Sequence, residues 1–319
     1  MGNMPDIKQV QLERLFEAYI NECEYTKQLR PHTVIGYRDA FNNFLSLMPE
    51  IRTVDDLHQH VLSVFFQRLG RRERVVGKET VKVGVKASTI RAYYNRLIIF
   101  FRWLETGDFI EKGSLTPKIV KPPAPKYTDS RALSEEEVSR IIAAITMNTI
   151  DEPYAYVRDL TIVSIFLYTG IRKSELLALT VQDVNLTERT LFIDGETSKS
   201  KVSRIIPLNA ILFSELKVYF KERRDRGFRC DALLTSTKSD TPLTQHGLKH
   251  WVERYIKLSG VKFHVHRFRH TFACSLAKSK ADVVTIMKVM GHSSIEMTMR
   301  YLRSIKPENA RSYLDKMHF

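Results

Sequence analysis

Residues 266–273, HRFRHTFA, alternate imidazole and guanidinium side chains at the predicted start of a helix. His266 and Arg269 are three positions apart, so they lie on the same face of that helix. A guanidinium group donates forked hydrogen bonds to phosphate oxygens, and an imidazole can move a proton near neutral pH. The segment is therefore a candidate site for phosphate chemistry in a helical part of the chain.

The same stretch also permits a metal site. His266 and His270 are four positions apart, Cys274 follows one turn later, and His264 lies just upstream. No carboxylate accompanies them, and the Glu of the zinc motif H-E-x-x-H is missing. We therefore expect no metal, and we expect Cys274 to be a buried structural thiol.

Two further segments hold polar residues of the same kind. Residues 169–176, TGIRKSEL, place Arg172 after a glycine turn where a new helix can begin, beside backbone N–H groups that also suit a phosphate. From this segment alone, a surface arginine paired with Glu175 is the simpler interpretation. Further on, Tyr301 follows His292 by nine residues. Taken singly, Tyr301 is one of 13 tyrosines and is more typical of a packing residue.

Hydrophobic patterns place these segments in a mainly helical second half with a small sheet. Residues 191–193 and 205–207 are short apolar runs that flank a polar loop containing Lys199 and Lys201, which predicts a β-hairpin. Helices are further predicted over 209–224, 244–258, 266–278, 282–290 and 294–302, with a short tail helix over about 305–319.

The first half has the pattern of a small helical bundle. Amphipathic spacing predicts a helix over 12–23 and a second one after it. Thr53, followed by two aspartates, predicts the N-cap of a third helix, and Ser88 predicts the cap of a fourth. Between these two helices, Arg68–Lys86 holds seven basic residues in nineteen and is predicted to be a basic loop.

A proline-rich segment separates the two halves. Residues 116–130, TPKIVKPPAPKYTDS, contain four prolines and three lysines, which predicts an extended, semi-rigid linker. Just beyond it, Ser134 with Glu137 three residues later predicts a helix that begins with a capping box.

Composition limits the class of protein. The chain has 319 residues and a formal net charge of +14, with 43% hydrophobic and 27% charged residues. These values exclude general disorder, and apolar runs are too short to span a bilayer. No secretory signal pattern is present, and three scattered cysteines do not suggest a disulfide scaffold. We expect a cytoplasmic, nucleoid-associated protein without membrane contact, whose partner is a polyanion.

Taken together, four segments resemble the tyrosine recombinases, also called the phage integrase family. Residues 169–176 match the pattern T-G-[LIM]-R-x-x-E-[LI], and residues 266–273 match H-x-x-R-H-[ST]-F-A. A lysine in a β-hairpin ahead of a [VI]-P-L strand end is matched by Lys199 before residues 206–208. Residues 290–301 match [LM]-G-H-x-x-x-x-x-T-x-x-Y. The four matches occur in family order within residues 130–305.

The resemblance implies a catalytic set and its roles. The catalytic residues would be Arg172, Lys199, His266, Arg269, His292 and the nucleophile Tyr301, with Glu175 as a supporting acid. The hairpin also offers Lys201, but distance to the strand end favours Lys199 as the general acid. The arginines would stabilise charge on the phosphate, and Tyr301 would form a 3′-phosphotyrosyl intermediate without ATP, metal or any other cofactor.

The family also implies an architecture. We expect a mainly α fold with a small β-sheet in the C-terminal domain, in which two domains form a C-shaped DNA clamp. The helical core-binding domain would occupy residues 1–115, a linker 116–130, and a mixed α/β catalytic domain 131–319. An additional arm-binding domain is not expected. The tail helix would dock on a neighbouring protomer, with packing within its own chain as the alternative.

The expected function is site-specific DNA recombination, either integration and excision or resolution. The partners would be a double-stranded recombination site, a homotetramer on two duplexes with a dimer on each site, and an accessory directionality factor. We expect DNA contacts from nine further basic residues: Arg71, Arg72, Arg74, Lys78, Lys82, Lys86, Lys201, Arg204 and Arg267. Two alternatives are DNA relaxation of the type IB topoisomerase kind and a non-catalytic DNA-binding accessory factor.

Overall fold

A computed structural model describes residues 11–76, 80–124, 132–198 and 201–302. The chain separates into two compact units, residues 1–127 and 128–319. Each unit has its own cluster of buried apolar side chains. The structure confirms the mainly helical fold with a small sheet in the second unit. None of the described helices is both long and apolar enough to cross a membrane.

The first unit is a helical bundle with one hairpin. Its elements are α1 (Leu12–Asn21), α2 (Pro31–Leu47), α3 (Val61–Arg71), β1 (Glu73–Val76), β2 (Thr80–Val83) and α4 (Ala87–Thr106). A π-helical turn, Glu22–Thr26, extends α1. The core is rich in aromatic rings, with Phe16 stacked on Phe41 at 3.8 Å and Phe100 packed edge-on against both. This packing explains why the apolar spacing of the sequence predicted the helices correctly.

Two helix starts in this unit differ from prediction. Thr53 caps only a single 3₁₀ turn, Val54–Asp56, because the Asp56 carboxylate accepts from both the backbone N–H and the hydroxyl of Thr53. The chain then turns before α3 begins at Val61. Ser88 lies inside the first turn of α4, whose N-cap is Lys86 without a side-chain cap.

The basic segment was wrongly predicted to be a loop. After α3 it forms an antiparallel hairpin, in which Arg74 pairs with Lys82 and Val75 with Val81. β-branched residues favour extended backbone; the valines of β2 alternate with polar residues, and β1 ends in two consecutive valines. Directly paired residues share a face, so the hairpin has one face with Arg74 and Lys82 and one with exposed valines.

The start of the predicted linker is packed against the first unit. Residues 116–118 form a 3₁₀ turn, and Leu115 and Ile119 are buried on either side of it. The Glu105 carboxylate accepts hydrogen bonds from the backbone N–H groups of Leu115 and Thr116 and from the Thr116 hydroxyl. This buried carboxylate fixes the segment, so its first residues are not an extended connector.

The second unit contains eight helices and a three-stranded antiparallel sheet among its described residues. The helices are α5 (Glu135–Thr149), α6 (Pro153–Thr169), α7 (Lys173–Ala178), α8 (Ala210–Asp225), α9 (Gln245–Ser259), α10 (Val265–Lys278), α11 (Val283–Met290) and α12 (Ile295–Leu302). The strands are β3 (Val184–Asn185), β4 (Thr190–Ile193) and β5 (Arg204–Pro207), in that order in the sheet.

The sequence signals at the ends of these elements are confirmed. Ser134 and Glu137 form the predicted capping box at the start of α5. The predicted hairpin is β4–β5, with Leu191 opposite Ile206. Helix α6 is buried on most of its surface between α8 and α10, and its C-terminal end therefore has a fixed position in the core.

Candidate active site

Arg172 is positioned by a tight turn between α6 and α7. Gly170 ends α6 in the left-handed conformation, with φ of +60°, and a Cβ atom there would lie 2.2 Å from Cδ1 of Phe272. Only glycine suits both constraints. Arg172 then becomes the N-cap of α7, and its guanidinium Nη2 donates to the Gly291 carbonyl at 3.0 Å.

Glu175 holds Arg172 from within the protein. Its side chain is fully buried; Oε2 accepts from the backbone N–H of Arg172 at 2.8 Å, and Oε1 accepts from Arg172 Nη1 at 2.9 Å. Burial alone would raise the pKa of Glu175, but the hydrogen bond and charge of Arg204, with the Arg172 N–H, lower that pKa to about 2. The carboxylate is thus ionised at neutral pH and fixes the direction of the Arg172 side chain.

Arg269 is the largest fully buried side chain of the described residues, with 1% of its surface exposed. It lies in α10, and its Nη1 and Nη2 donate to the carbonyls of Gly170 and Met290, both at 2.6 Å. Arg172 donates to the next carbonyl along, that of Gly291. The two predicted arginines therefore meet at one short turn, although they are 97 positions apart in the sequence.

His292 follows that turn directly. It is buried, and its Nδ1 lies 2.8 Å from the hydroxyl of Thr298, which is also buried. Burial, followed by the charges of Arg269, Arg172 and Arg204, lowers the pKa of His292 to about 3. The imidazole is therefore neutral at physiological pH.

His266 belongs to the same cluster of charges. It lies in the first turn of α10, and part of its side chain is exposed to solvent. Burial lowers the pKa of His266, and the charges of Arg269 and then of His264 add to this effect. His266 is thus also favoured in its neutral form, in which one ring nitrogen can accept a proton.

Two members of the predicted set are only partly covered by the structure. Lys199 lies outside the described residues, and so do Lys78 and the predicted tail helix, about residues 305–319. The backbone of Tyr301 is helical, near the C-terminal end of α12, two turns after the start of that helix. Helix α12 begins three residues after His292, so the site and this tyrosine are on adjacent elements.

Two of the possible metal ligands on α10, His270 and Cys274, lie next to each other. His270 is buried and its Nδ1 lies 3.3 Å from Sγ of Cys274. Among the described residues, no group of three or more His, Cys, Asp or Glu side chains is placed to bind a metal. Both side chains of this pair are buried within the second unit.

The predicted DNA-binding residues fall into two groups. Exposed side chains are those of Arg71, Arg72, Arg74, Lys82, Lys86 and Lys201. Of these, Arg72 donates to Oδ1 of Asn43 at 2.9 Å. Within the ranges that the structure describes, Arg71, Arg74, Lys82, Lys86 and Lys201 form no ion pair with a carboxylate.

The other two predicted DNA contacts, Arg204 and Arg267, make hydrogen bonds within the second unit. The Arg204 side chain is 7% exposed, and its guanidinium bonds to Glu175 and to the Val289 carbonyl. Arg267 donates to the Glu137 carboxylate at 2.9 Å and to the Lys262 carbonyl at 2.5 Å. Both arginines therefore already have hydrogen-bond partners within the second unit.

Sequence reasoning missed three supporting side chains at this site: Arg204, Thr298 and Ser198, whose hydroxyl lies 3.4 Å from Arg172 Nη1. A signal existed for two of them. Arg204 shares a strand face with the buried Ile206, two positions later, and Thr298 occupies the threonine position of the fourth matched pattern. The hydroxyl of Ser198 carried no comparable signal.

A model of the phage integrase family matches residues 131–308, more than half of the chain. The chain belongs to this family. It is a tyrosine-type site-specific DNA recombinase, an enzyme that cleaves and rejoins DNA. The matched region contains all seven residues predicted as catalytic or supporting.

Curated relatives agree along nearly the whole chain. The tyrosine recombinase XerC of Oceanobacillus iheyensis is 26% identical, covering 95% of this chain and 96% of its own. A tyrosine recombinase of Agathobacter rectalis is 27% identical, covering 91% and 92%. XerA of Saccharolobus solfataricus is 26% identical, covering 89% and 87%. Neither relaxation of DNA nor a non-catalytic accessory role is favoured by these relatives.

Solved structures show the same fold. The Tn1549 transposon integrase, solved with a circular intermediate DNA, has a TM-score of 0.76 at 18% identity, covering 97% of this chain and all of that one. A lambda integrase dimer bound to a core site has a TM-score of 0.71 at 17% identity, covering 94% and 80%. The mainly helical architecture is thus shared although most side chains differ.

Proposed function

We propose that this recombinase cleaves DNA by attack of the Tyr301 hydroxyl on a phosphodiester, with Arg172 and Arg269 binding the non-bridging oxygens. The observation that carries this assignment is the meeting of the two guanidinium groups on the adjacent carbonyls of Met290 and Gly291. His292 is the next residue, and the helix that carries Tyr301 begins three residues later. A phosphate bound by both arginines would therefore lie close to the start of that helix.

In the proposed step, the Tyr301 oxygen forms a bond to phosphorus while the bond from phosphorus to the 5′-oxygen breaks. The tyrosine loses its proton and the departing 5′-oxygen gains one, so a 3′-phosphotyrosyl link stores the energy of the cleaved bond. Reversal by another 5′-hydroxyl joins strands without an external energy source. Negative charge builds on the non-bridging oxygens, where two permanently charged guanidinium groups stabilise it.

Neutral His292 suits a hydrogen-bond donor better than a proton carrier. Because its pKa is lowered to about 3, it does not titrate near pH 7. If the Thr298 hydroxyl donates to Nδ1, the ring proton is on Nε2, which then donates to a phosphate oxygen. His266, whose lowered pKa favours the neutral imidazole, serves as the base that accepts the Tyr301 proton.

Lys199 is the proposed acid that protonates the 5′-oxygen. The loop between β4 and β5 carries it, and the base of this loop is fixed because the Gly195 N–H donates to the Ser203 hydroxyl at 2.9 Å. Lys201 in the same loop is exposed and is the alternative acid. Proton transfer of this kind contributes roughly 10²–10⁴-fold to a rate.

DNA binding is proposed to involve both units. The first unit, with the basic face of its hairpin, and the catalytic unit each carry net positive charge, which suits the phosphate backbone on two sides of a duplex. We also propose a homotetramer on two duplexes, since the lambda integrase has been solved as a tetramer on a Holliday junction. Integration, excision and resolution all use these same steps.

The proposal is tested by covalent capture. Wild-type protein is expressed in its native genome, and DNA that remains bound after denaturation is sequenced to give the site. A nicked duplex with this site then traps the covalent complex in vitro. Tyr301→Phe should bind this duplex normally and form no complex, because the ring lacks a nucleophilic oxygen. A surviving covalent band would place the nucleophile elsewhere.

The same assay separates the two lysines. Lys199→Ala should slow complex formation by roughly 10²-fold or more while DNA affinity is kept. Lys201→Ala is the matched control, since it removes the same charge from the same loop. If the larger loss belongs to Lys201→Ala, the acid is Lys201 instead.

A further inference from the structure

Arg204 makes three hydrogen bonds to other parts of the protein, and the proposed cleavage mechanism gives these bonds no role. Its Nη2 and Nη1 donate to the Glu175 carboxylate at 2.8 and 3.3 Å, and its Nε donates to the Val289 carbonyl at 2.8 Å. Only 7% of its side chain is exposed. It begins β5, the strand that leads out of the loop containing Lys199.

The C-terminal end of α11 is bonded by three arginines in succession. The carbonyl of Val289 accepts from Arg204, that of Met290 from Arg269, and that of Gly291 from Arg172. The last carbonyls of a helix lack partners within the helix, and the helix dipole places partial negative charge there. One helix end thus fixes the positions of three guanidinium groups.

We propose that Arg204 is a positioning residue that holds Arg172 and His292 in their catalytic geometry without contacting DNA. This inference rests on the proposed function, because the catalytic roles of Arg172 and His292 are themselves part of that proposal.

The first step of the argument concerns Glu175. This buried carboxylate lies between two guanidinium groups, with Arg172 on one side and Arg204 on the other. Removal of Arg204 would leave a buried anion with a single cationic partner. Such an imbalance is costly, so the carboxylate would shift or admit water. Because Arg172 takes its direction from Glu175, its guanidinium would move as well.

The second step concerns the turn before His292. Gly291 adopts a φ of +59°, and a Cβ atom there would lie 2.8 Å from Arg204 Nη1. The guanidinium of Arg204 is therefore packed directly against the backbone of this turn. Arg172 and Arg269 bond to the same turn through the carbonyls of Gly291 and Met290. Loss of Arg204 would leave a gap beside the turn and allow His292 to move.

The third step concerns charge. Four groups influence the pKa of His292 after burial itself: Arg269, Arg172, Arg204 and His266. Removing the positive charge of Arg204 would raise that pKa. A substitution that weakens the fold away from this cluster should leave that pKa unchanged, so the titration of His292 shows whether Arg204 acts on the cluster itself.

The test compares Arg204→Met and Arg204→Lys with a matched control, Arg223→Met. Arg223 is also largely buried, and it donates to the carbonyls of Ala232 and Leu233, away from the catalytic cluster. Three measurements are made on each full-length protein: the melting temperature, the rate of covalent complex formation on the nicked duplex at saturating protein, and the NMR titration of His292 without DNA.

We expect Arg204→Met to bind the duplex with wild-type affinity and to cleave roughly 10²-fold more slowly, since misplacement of a reacting group by about 1 Å has this effect. Arg204→Lys should recover roughly tenfold of this loss, because it restores the charge without the fork. The pKa of His292 should rise in Arg204→Met only. Arg223→Met should lose melting temperature and keep its cleavage rate well below that temperature.

Three results would overturn the proposal: wild-type cleavage by Arg204→Met, an equal loss of cleavage in Arg223→Met, or an unchanged His292 titration. If wild-type protein forms no covalent complex, the proposed function fails, and the DNA-free titration alone then decides the role of Arg204. If Arg204→Met does not fold, Arg204→Lys decides in its place: a cleavage defect with an unshifted His292 supports positioning through the fork, and a wild-type rate overturns it.

Discussion

Which ring nitrogen of His292 carries the proton depends on its contact with Thr298. The hydroxyl of Thr298 lies 2.8 Å from Nδ1, and both side chains are buried. Since burial and three arginines keep the imidazole neutral, a single proton is shared between two nitrogens. The hydrogen bond therefore sets the direction in which His292 can donate.

Thr298→Val should reduce covalent complex formation by about tenfold or more, because valine has the shape of threonine without the hydroxyl. Single-turnover cleavage on the nicked duplex measures this effect. Thr298→Ser keeps the hydroxyl and should cleave at close to the wild-type rate. Equal rates for the valine and serine variants would show that the hydroxyl does not orient the ring.

Individual side chains differ in how far their roles could be predicted. Arg172 and Arg269 were predicted from local patterns, and the structure brings them together on one turn. Arg204 was predicted only as one of nine basic DNA contacts, and its support of Glu175 was not foreseen. Its actual partners are 29 and 85 positions away, and sequence separation of this kind carries no local signal.

The turn that ends α6 connects a core helix with a catalytic arginine. Gly170 has a left-handed backbone and lies against the ring of Phe272, which is in α10. The position of Arg172 therefore depends on how closely two helices approach. A side chain at Gly170 would separate them.

Gly170→Ala should destabilise the protein in two ways. A positive φ costs a non-glycine residue about 1–2 kcal/mol, and the clash with Phe272 should add roughly 2 kcal/mol. Chemical denaturation measures both. Gly227→Ala is the matched control, because Gly227 has a φ of +73° and nothing within 4 Å of the added methyl group. Equal losses in the two variants would contradict the role of the helix contact.

The hairpin β1–β2 shows where pattern reasoning failed at the level of an element. The seven basic residues among the nineteen of residues 68–86 suggested a loop, but residues 80–83, TVKV, alternate as they do in a strand. The pairing of Arg74 with Lys82 places two cations side by side. Like charges at directly paired positions repel each other, and a bound anion such as a phosphate would remove this repulsion.

Replacing Arg74 and Lys82 together by glutamine should flatten the salt dependence of DNA binding. Each phosphate contact contributes about 0.9 to the slope of log affinity against log salt, so the slope should fall by up to about 1.8. The control replaces Arg38 and Lys112, which are exposed in the same unit and paired with Glu17 and Asp108. Similar slopes for both double variants would mean that the hairpin does not contact phosphate.

The two units are separate in their cores. The first is built mainly from aromatic and aliphatic side chains of α1 to α4, and the second from those of α5 to α10 with the sheet. The described apolar clusters do not extend across the boundary at residue 127. Each unit thus has the buried core that independent folding requires.

Fragments of residues 1–127 and 128–319 should each fold cooperatively. We expect a sharp thermal transition for both by circular dichroism, and covalent complex formation only from the larger fragment, at reduced DNA affinity. The intact chain is the control. A fragment that melts without a cooperative transition would show that its core depends on the other unit.

The three carbonyls at the end of α11 have one more consequence. Three long side chains are immobilised there by the protein itself before DNA arrives. Freezing an arginine costs up to about 2 kcal/mol of rotamer entropy, and here the fold has already met that cost. Binding a phosphate then requires little rearrangement of these side chains. The loss of side-chain entropy on anion binding should therefore be small.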